Sequence, residues 1–394
     1  MKKGLVLKLT VIVFFSACLI SCSQNKKVNK AGETIDVHPG YPAFSWDKVP
    51  VAFHFGKNSG LMTSDEAKFV VSHSGFICLE KSHASEQFGN TETGIEKEAQ
   101  QLKKLNPNLK VIFYWNTFLD YSMFKAHEEY EKHPEWWLKT KEDELDLKNG
   151  TIKRYDLSNP EVRNWWTDVA KKAVVDGSSD GVFMDAFPQV AASGNKELWG
   201  KEKYDAIQQG LKEIIKETRE KIGNDKLIVY NGIRSTPESK IGYDFPDYTD
   251  AVMIEHFGNF NSDSKECMMA DIKEMIKAGK SGKIVVLKTW PGFTFTEKEA
   301  MSMSLTAKIQ IAQKNITFPL ACFLVGAQKY SYLIYNWGYR IDNGCLDWYP
   351  EFDKPLGKPL GDAAINGWEL SREFEHVSVW VNLETKEAKL DWKE

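Results

Sequence analysis

Cysteine is scarce in this 394-residue chain. Only six occur, and none stands in a Cys-x-x-Cys pair or a His/Cys cluster, so a zinc site has no ligand set to start from. An excess of one charge is lacking too. Lys and Arg number 51 against 55 Asp and Glu, a formal net charge of −4. A near-neutral chain gives a polyanion no electrostatic footing, which excludes nucleic acid as a partner. There is no GxGxxG or phosphate loop, so an open doubly wound nucleotide-binding sheet loses its main signal. Beyond the first twenty residues no apolar run is long enough to span a bilayer.

The first residues read as an address. Lys2 and Lys3 precede an apolar stretch over 5–20 that is too short and too early for a membrane span. It ends in Leu19-Ile20-Ser21-Cys22, which resembles the lipobox of bacterial lipoproteins. That resemblance implies a signal peptide over 1–22, lipidation of Cys22, and a membrane-anchored protein of the bacterial cell envelope. An ordinary secretory signal cut elsewhere is the alternative. Residues 23–40 are polar and read as a tether. Cys78 lies within Phe76-Ile77-Cys78-Leu79 and reads as a buried free thiol.

Eight strand-like runs follow, at 51–56, 75–80, 109–116, up to Asp185, 226–232, up to Glu255, 283–290 and 330–336. Helical patterns separate them. The clearest opens at Asn159-Pro160-Glu161, with Asn159 as N-cap and Pro160 in the first turn. It carries Val162, Trp165, Trp166, Val169 and Ala173 on one face. Others cover 94–105, 198–222, 265–278 and 298–313. Eight strands alternating with helices predict an α/β fold, a (β/α)8 TIM barrel over 41–348. Residues 349–394 differ. A turn-rich stretch at 353–361 precedes strand alternation over 374–390 about a turn at 384–386, which predicts a small C-terminal antiparallel β-sheet packed on the barrel.

Two of the strands stop at an acid: Val182-Phe183-Met184-Asp185 and Val252-Met253-Ile254-Glu255. Carboxylates at C-terminal strand ends of a barrel sit on the face where catalytic groups collect. A pair of them suggests glycosidic cleavage, which needs one carboxyl to protonate the leaving oxygen and another to act as nucleophile or base. Asp185 is assigned as nucleophile and Glu255 as general acid/base, in a retaining mechanism that requires no metal or cofactor. The bland reading of Asp185 is a helix cap or ion-pair partner, and His256 competes with Glu255 for the site. Substrate-binding groups are expected at the other strand ends: His54, Glu80, Tyr114, Trp115, Asn116, Asn231, His256, Lys288, Trp290, Asn336 and Trp337. Asp156, in the turn before the Asn-Pro pair, joins this set, although a structural turn is its favoured reading. Rings stack on sugar faces, and amides satisfy sugar hydroxyls. Thirteen tryptophans suit that chemistry, but Trp136, Trp137, Trp165 and Trp166 read as packing.

The run Lys153-Arg154-Tyr155-Asp156-Leu157-Ser158-Asn159-Pro160-Glu161-Val162-Arg163, followed by Asp180-Gly181-Val182-Phe183-Met184-Asp185, resembles a pattern of barrel glycoside hydrolases. Leu356-Gly357-Lys358-Pro359-Leu360-Gly361 and Ser371-Arg372-Glu373-Phe374-Glu375 are similar to the end of hypothetical glycoside hydrolase family fifteen. The resemblance covers most of the chain after residue 22 and implies a TIM barrel. It also implies that Asp185, the fourth-strand aspartate, is the nucleophile, while its motifs say little about substrate; the expected substrate of the paired carboxylates is a poly- or oligosaccharide. Two other readings stand beside it. A surface glycan-binding protein would keep the aromatics without using paired acids. A metal-dependent phosphodiesterase would use His54 and Glu80, but lacks a second histidine at a matching strand end.

Overall fold

The computed structural model describes Met1 and residues 27–28, 34–35, 38–236, 239–241 and 248–393. They fall into two compact units, Met1–His38 and Pro39–Glu394. In the first, Lys27–Val28 pairs antiparallel with Thr34–Ile35. The expected signal peptide with Cys22, and most of the expected tether, lie outside the described residues.

The second unit is organised by eight parallel strands. They are β1 (Phe53–Phe55), β2 (Phe76–Leu79), β3 (Lys110–Asn116), β4 (Gly181–Asp185), β5 (Leu227–Thr236), β6 (Ala251–Ile254), β7 (Ile284–Thr289) and β8 (Ser331–Tyr335). Sequence neighbours are sheet neighbours throughout. The ends of the sheet meet: Val51 bridges Leu333, Gly56 bridges Arg340, and the Leu333 N–H donates to the Pro50 carbonyl at 2.8 Å. The expected (β/α)8 barrel therefore forms, with its two edge strands paired to each other. Helices cover the outside, so strands such as β2 are buried along their whole length.

The helices relevant here are α1 (Ser64–His73), α2 (Thr91–Leu105), α3 (Pro160–Lys171), α4 (Lys201–Ile222), α5 (Lys265–Lys280), α6 (Leu305–Asn315) and α7 (Thr317–Gly326). α3 starts as its sequence predicts: the Asn159 side chain accepts from the Glu161 N–H at 2.9 Å, and Pro160 occupies the first turn. α4 crosses close to the turn before α3. A Cβ at Gly210 would come 2.1 Å from the Leu157 carbonyl oxygen, so this approach requires glycine.

One local reading differs, and one helix, α7, has no counterpart in the sequence reading. Instead of one helix over 298–313 the chain makes Lys298–Ser302 and then α6, because the Ser304 hydroxyl caps a new helix by accepting from the Ala307 N–H at 3.2 Å. α7 has no polar face and is buried from Pro319 to Gly326, so it shows no helical period to read. The C-terminal sheet packs against it and has four strands, β9 (Ala364–Asn366), β10 (Glu369–Glu373), β11 (Val377–Asn382) and β12 (Glu387–Trp392), antiparallel in that order. The β11–β12 hairpin matches the alternation in the sequence, while β9 and β10 go beyond it. Among the described residues the cysteines are Cys78, Cys267, Cys322 and Cys345, and all four are free and buried. Among the described residues no helix is long and apolar enough to cross a membrane.

Candidate active site

Strand alternation decides which side chains face the barrel axis. On β3, Tyr114 and Asn116 face inward, while Trp115 faces out and donates its indole N–H to the Trp166 carbonyl of α3 at 3.2 Å. Register places Tyr114 beside Phe183 and Asn116 beside Asp185 on β4. The Tyr114 and Phe183 rings stack with centroids 5.7 Å apart, below the carboxylate. β5 carries a bulge here: Met253 of β6 pairs with Asn231, and the next residue, Ile254, pairs with Ile233. The extra residue, Gly232, directly follows Asn231, where a bulge re-aims neighbouring side chains.

The two strand-end carboxylates converge. Asn231 Nδ2 donates to Asp185 Oδ1 at 2.8 Å and to Glu255 Oε2 at 2.8 Å. Asp185 Oδ1 also accepts from the Ala186 N–H at 2.7 Å, and Oδ2 accepts from the Tyr114 hydroxyl at 2.5 Å and Asn116 Nδ2 at 3.2 Å. Ala186 adopts a left-handed backbone, φ 75°, which is costly for a residue with a Cβ. Such strain collects at functional sites, and here it accompanies the turn that brings the Ala186 N–H onto Asp185. Glu255 Oε1 accepts from the Tyr339 hydroxyl at 2.5 Å, and His256 Nε2 lies 3.5 Å from Oε2. Trp290 donates its indole N–H to the Glu255 carbonyl at 3.3 Å.

Burial sets the electrostatics. It pushes the Asp185 carboxyl up, the Glu255 charge pushes the same way, and Lys81, Tyr114 and the Ala186 N–H oppose them. Burial would also raise Glu255, but His256, Asn231 and Tyr339 outweigh it and hold that carboxyl below its ordinary value. Hydrogen bonds and charges thus point to different members as the proton holder. Asp185 accepts four donors, which favours its ionised form, while the net field favours the proton on Asp185 rather than Glu255. A third carboxyl, Glu80, follows β2. Burial raises it to about 7 against the pull of Lys81, whose ammonium lies 2.9 Å from both of its oxygens. His54 is lowered to about 3 by burial and is therefore neutral. Lys288 is fully enclosed and lowered to about 7, also by burial. Its ammonium donates to the Asn336 carbonyl at 2.6 Å and stands 3.6 Å from the Trp290 ring centroid.

The barrel mouth thus gathers His54, Glu80, Tyr114, Asn116, Asp185, Asn231, Glu255, His256, Lys288 and Trp290. Four expected site residues are placed elsewhere. Trp115 packs outward on Trp166, because odd and even positions of a strand face opposite ways. Asp156 accepts from the Ser158 hydroxyl at 2.6 Å and Lys203 at 2.6 Å, holding the turn before α3. The Trp337 ring is fully buried and packs on Phe293. The Asn336 side chain turns to Cys345, and only its carbonyl serves the mouth, through Lys288. Tyr339 and Lys81 were missed. Tyr339 lies four residues past the end of β8, and nothing in a loop sequence indicates that its ring folds back over the strands. Lys81, beside Glu80 in the sequence, stands 4.7 Å from the Tyr114 ring centroid as well as bonding Glu80.

Fold and site together define a (β/α)8 barrel whose mouth holds two carboxylates joined by one amide. The model of hypothetical glycosyl hydrolase family 15 matches residues 103–378, and the chain belongs to that family. No curated protein sequence matches it. Several solved structures are similar. A cycloisomaltooligosaccharide glucanotransferase from Paenibacillus sp. aligns with TM-score 0.44 at 13% identity, over 64% of this chain and 40% of that one. The α-L-fucosidase isoenzyme 2 of Paenibacillus thiaminolyticus gives TM-score 0.45 at 14% identity, over 77% and 48%. The maltogenic α-amylase AmyB of Thermotoga neapolitana gives TM-score 0.45 at 10% identity, over 86% of each chain. The chain spans less than half the length of the first two.

Proposed function

We propose that the protein is a glycoside hydrolase that cleaves a poly- or oligosaccharide with retention of configuration. Asp185 attacks the anomeric carbon as the bond to the leaving oxygen breaks, and Glu255 protonates that oxygen. Glu255 then takes a proton from the water that releases the sugar from Asp185. The observation that carries this reading is the shared Asn231 amide. Two bonds of 2.8 Å from one nitrogen put the accepting oxygens of Asp185 and Glu255 no more than twice that distance, about 5.6 Å, apart. Retaining enzymes hold their carboxyls about 5–5.5 Å apart, and inverting ones about 6.5–9.5 Å. The four donors on Asp185 support it as the fixed carboxylate.

A second reading exchanges the two roles, and it is favoured by the burial and Glu255 charge that raise Asp185 and by the His256 charge and the Asn231 and Tyr339 hydrogen bonds that lower Glu255. Azide separates the two. With 4-nitrophenyl glycosides, Glu255→Ala in azide should yield the glycosyl azide of retained configuration, and Asp185→Ala the inverted one. The opposite pair of products would select the exchanged roles. Wild-type turnover in both variants would overturn the two-carboxylate mechanism, and glycan binding without any hydrolysis would select a binding protein.

We also propose that the chain is lipid-anchored through Cys22 in a bacterial cell envelope, on the strength of the apolar 5–20 stretch and the Leu-Ile-Ser-Cys sequence that follows. Cys22→Ser should move the protein from the membrane to the soluble fraction, and an unchanged distribution would sink the anchor.

A further inference from the structure

His54 is 3% exposed, and its Nε2 has no hydrogen-bond partner. That nitrogen lies 3.9 Å from Glu80 Oε1. The gap is too long for a hydrogen bond. One oxygen atom about 2.8 Å from both fits it, with an angle of about 90° at that oxygen. A buried polar atom left unpaired is costly, so a ligand that pairs it removes that cost. The ring is fixed from both sides: its centroid is 4.8 Å from Phe183 and 5.4 Å from Tyr339, both edge-on. Phe183 stacks on Tyr114, which bonds the Asp185 carboxylate, so the gap belongs to the same cluster of inward-facing side chains.

A hydroxyl is the group that donates and accepts through one oxygen. It can donate to the Glu80 carboxylate and share its second bond with the neutral imidazole. A carboxylate or sulfate ester at that place would press against Glu80, whose charge Lys81 already answers.

We propose that His54 and Glu80 form a subsite for one ring hydroxyl of the sugar that reacts at Asp185, selecting sugars with a free hydroxyl there over those carrying a carboxylate or sulfate. This rests on the glycoside hydrolase reading. His54 and Glu80 are binding residues in it and take no part in bond breaking.

The test uses the full chain with 4-nitrophenyl glycosides and a series deoxygenated one position at a time. In the wild type one deoxy substrate should lose roughly 100-fold or more in kcat/KM, because the missing hydroxyl leaves the buried His54 Nε2 unpaired. His54→Ala should lose a similar factor on the parent sugar but stay within a few-fold of wild type on that deoxy substrate. Glu80→Gln should behave alike, and His54→Gln should recover part of the loss. An equal loss on every substrate, or none on the parent, overturns the subsite while leaving the hydrolase reading intact. Asp185→Asn should lower all substrates together. A wild type that hydrolyses no glycoside instead removes the hydrolase reading, and calorimetric titration with the free monosaccharides then decides. Tenfold weaker binding to His54→Ala than to wild type sustains the subsite, and equal or absent binding overturns it.

Discussion

Asn231 Nδ2 touches both Asp185 and Glu255, at 2.8 Å each. The amide spends both of its N–H bonds on carboxylates, so it tunes the pair as a unit. Asn231→Ala should cost about 1.5–3 kcal/mol of interaction with the charged forms. We expect kcat to fall about 10–100-fold and both limbs of the pH profile to move upward, since each carboxylate loses a donor. Asn231→Asp should be worse, because a third negative charge then sits between the two. An unchanged pH–rate profile in Asn231→Ala would show that the bridge has no part in setting the carboxyls.

The Tyr339 hydroxyl bonds Glu255 at 2.5 Å, and the Tyr114 hydroxyl bonds Asp185 at 2.5 Å. Each stabilises one ionised carboxylate, so each phenylalanine variant reports on one residue. Tyr339→Phe should raise the pKa of Glu255. If Glu255 is the acid, the alkaline limb of kcat/KM moves up by about one unit. If Glu255 is the nucleophile, the acidic limb moves instead. Tyr114→Phe should shift the other limb. Both variants moving the same limb would contradict a division of labour between the carboxyls.

These two tyrosines also mark what was readable in the chain. Tyr114 was visible because it ends an apolar run, where strand period places it near the mouth. The same rule found Asp185, Asn231, Glu255 and Lys288, and the eight runs themselves. It misjudged Trp115, where one step along the strand turns the side chain outward. It could not reach Tyr339, whose position depends on how the loop after β8 folds back. α7 shows the converse limit. Its apolar run carries no period because barrel and C-terminal sheet bury both of its sides, and a one-dimensional pattern cannot register a second layer. The bulge that aims Asn231 is likewise a property of two strands together and leaves only Gly232 as its trace.

Lys288 predicts an unusual dependence of stability on pH. Its pKa falls from 10.5 to about 7 on folding, mainly through burial, while Glu255 and Cys345 act the other way. Between those values the unfolded chain holds more protons on this group than the folded one, so stability rises with pH across the window and is lost as pH falls toward 7. We expect urea denaturation of the wild type to gain about 2 kcal/mol or more from this group between pH 7 and 9.5. Lys288→Met should flatten that slope. It should also lower activity, because the ammonium holds Trp290 and the β8 loop in place. A slope that survives in Lys288→Met would assign it to another group.

Arg372 fastens the C-terminal sheet to the barrel. Its Nε donates to the Gly361 carbonyl at 3.0 Å, and its guanidinium reaches the Leu324 carbonyl at 3.4 Å and that of Ala327. Leu324 lies in the last turn of α7 and Ala327 just past it, where carbonyls lack helical partners and the helix dipole attracts a cation. The residue is 4% exposed, so Arg372→Ala removes the donor from several carbonyls in a buried seam. We expect a loss of about 3–5 kcal/mol in urea denaturation. Arg372→Lys should recover only part of it, because a single ammonium lacks the planar fork. The carboxylates at the mouth are untouched by this change, so kcat/KM of the folded variant should stay near wild type. Limited proteolysis should cut Arg372→Ala first within residues 353–361, the turn-rich link that the arginine ties down. A variant as stable as wild type, or one uncut there, would mean that apolar contact with α7 alone holds the sheet.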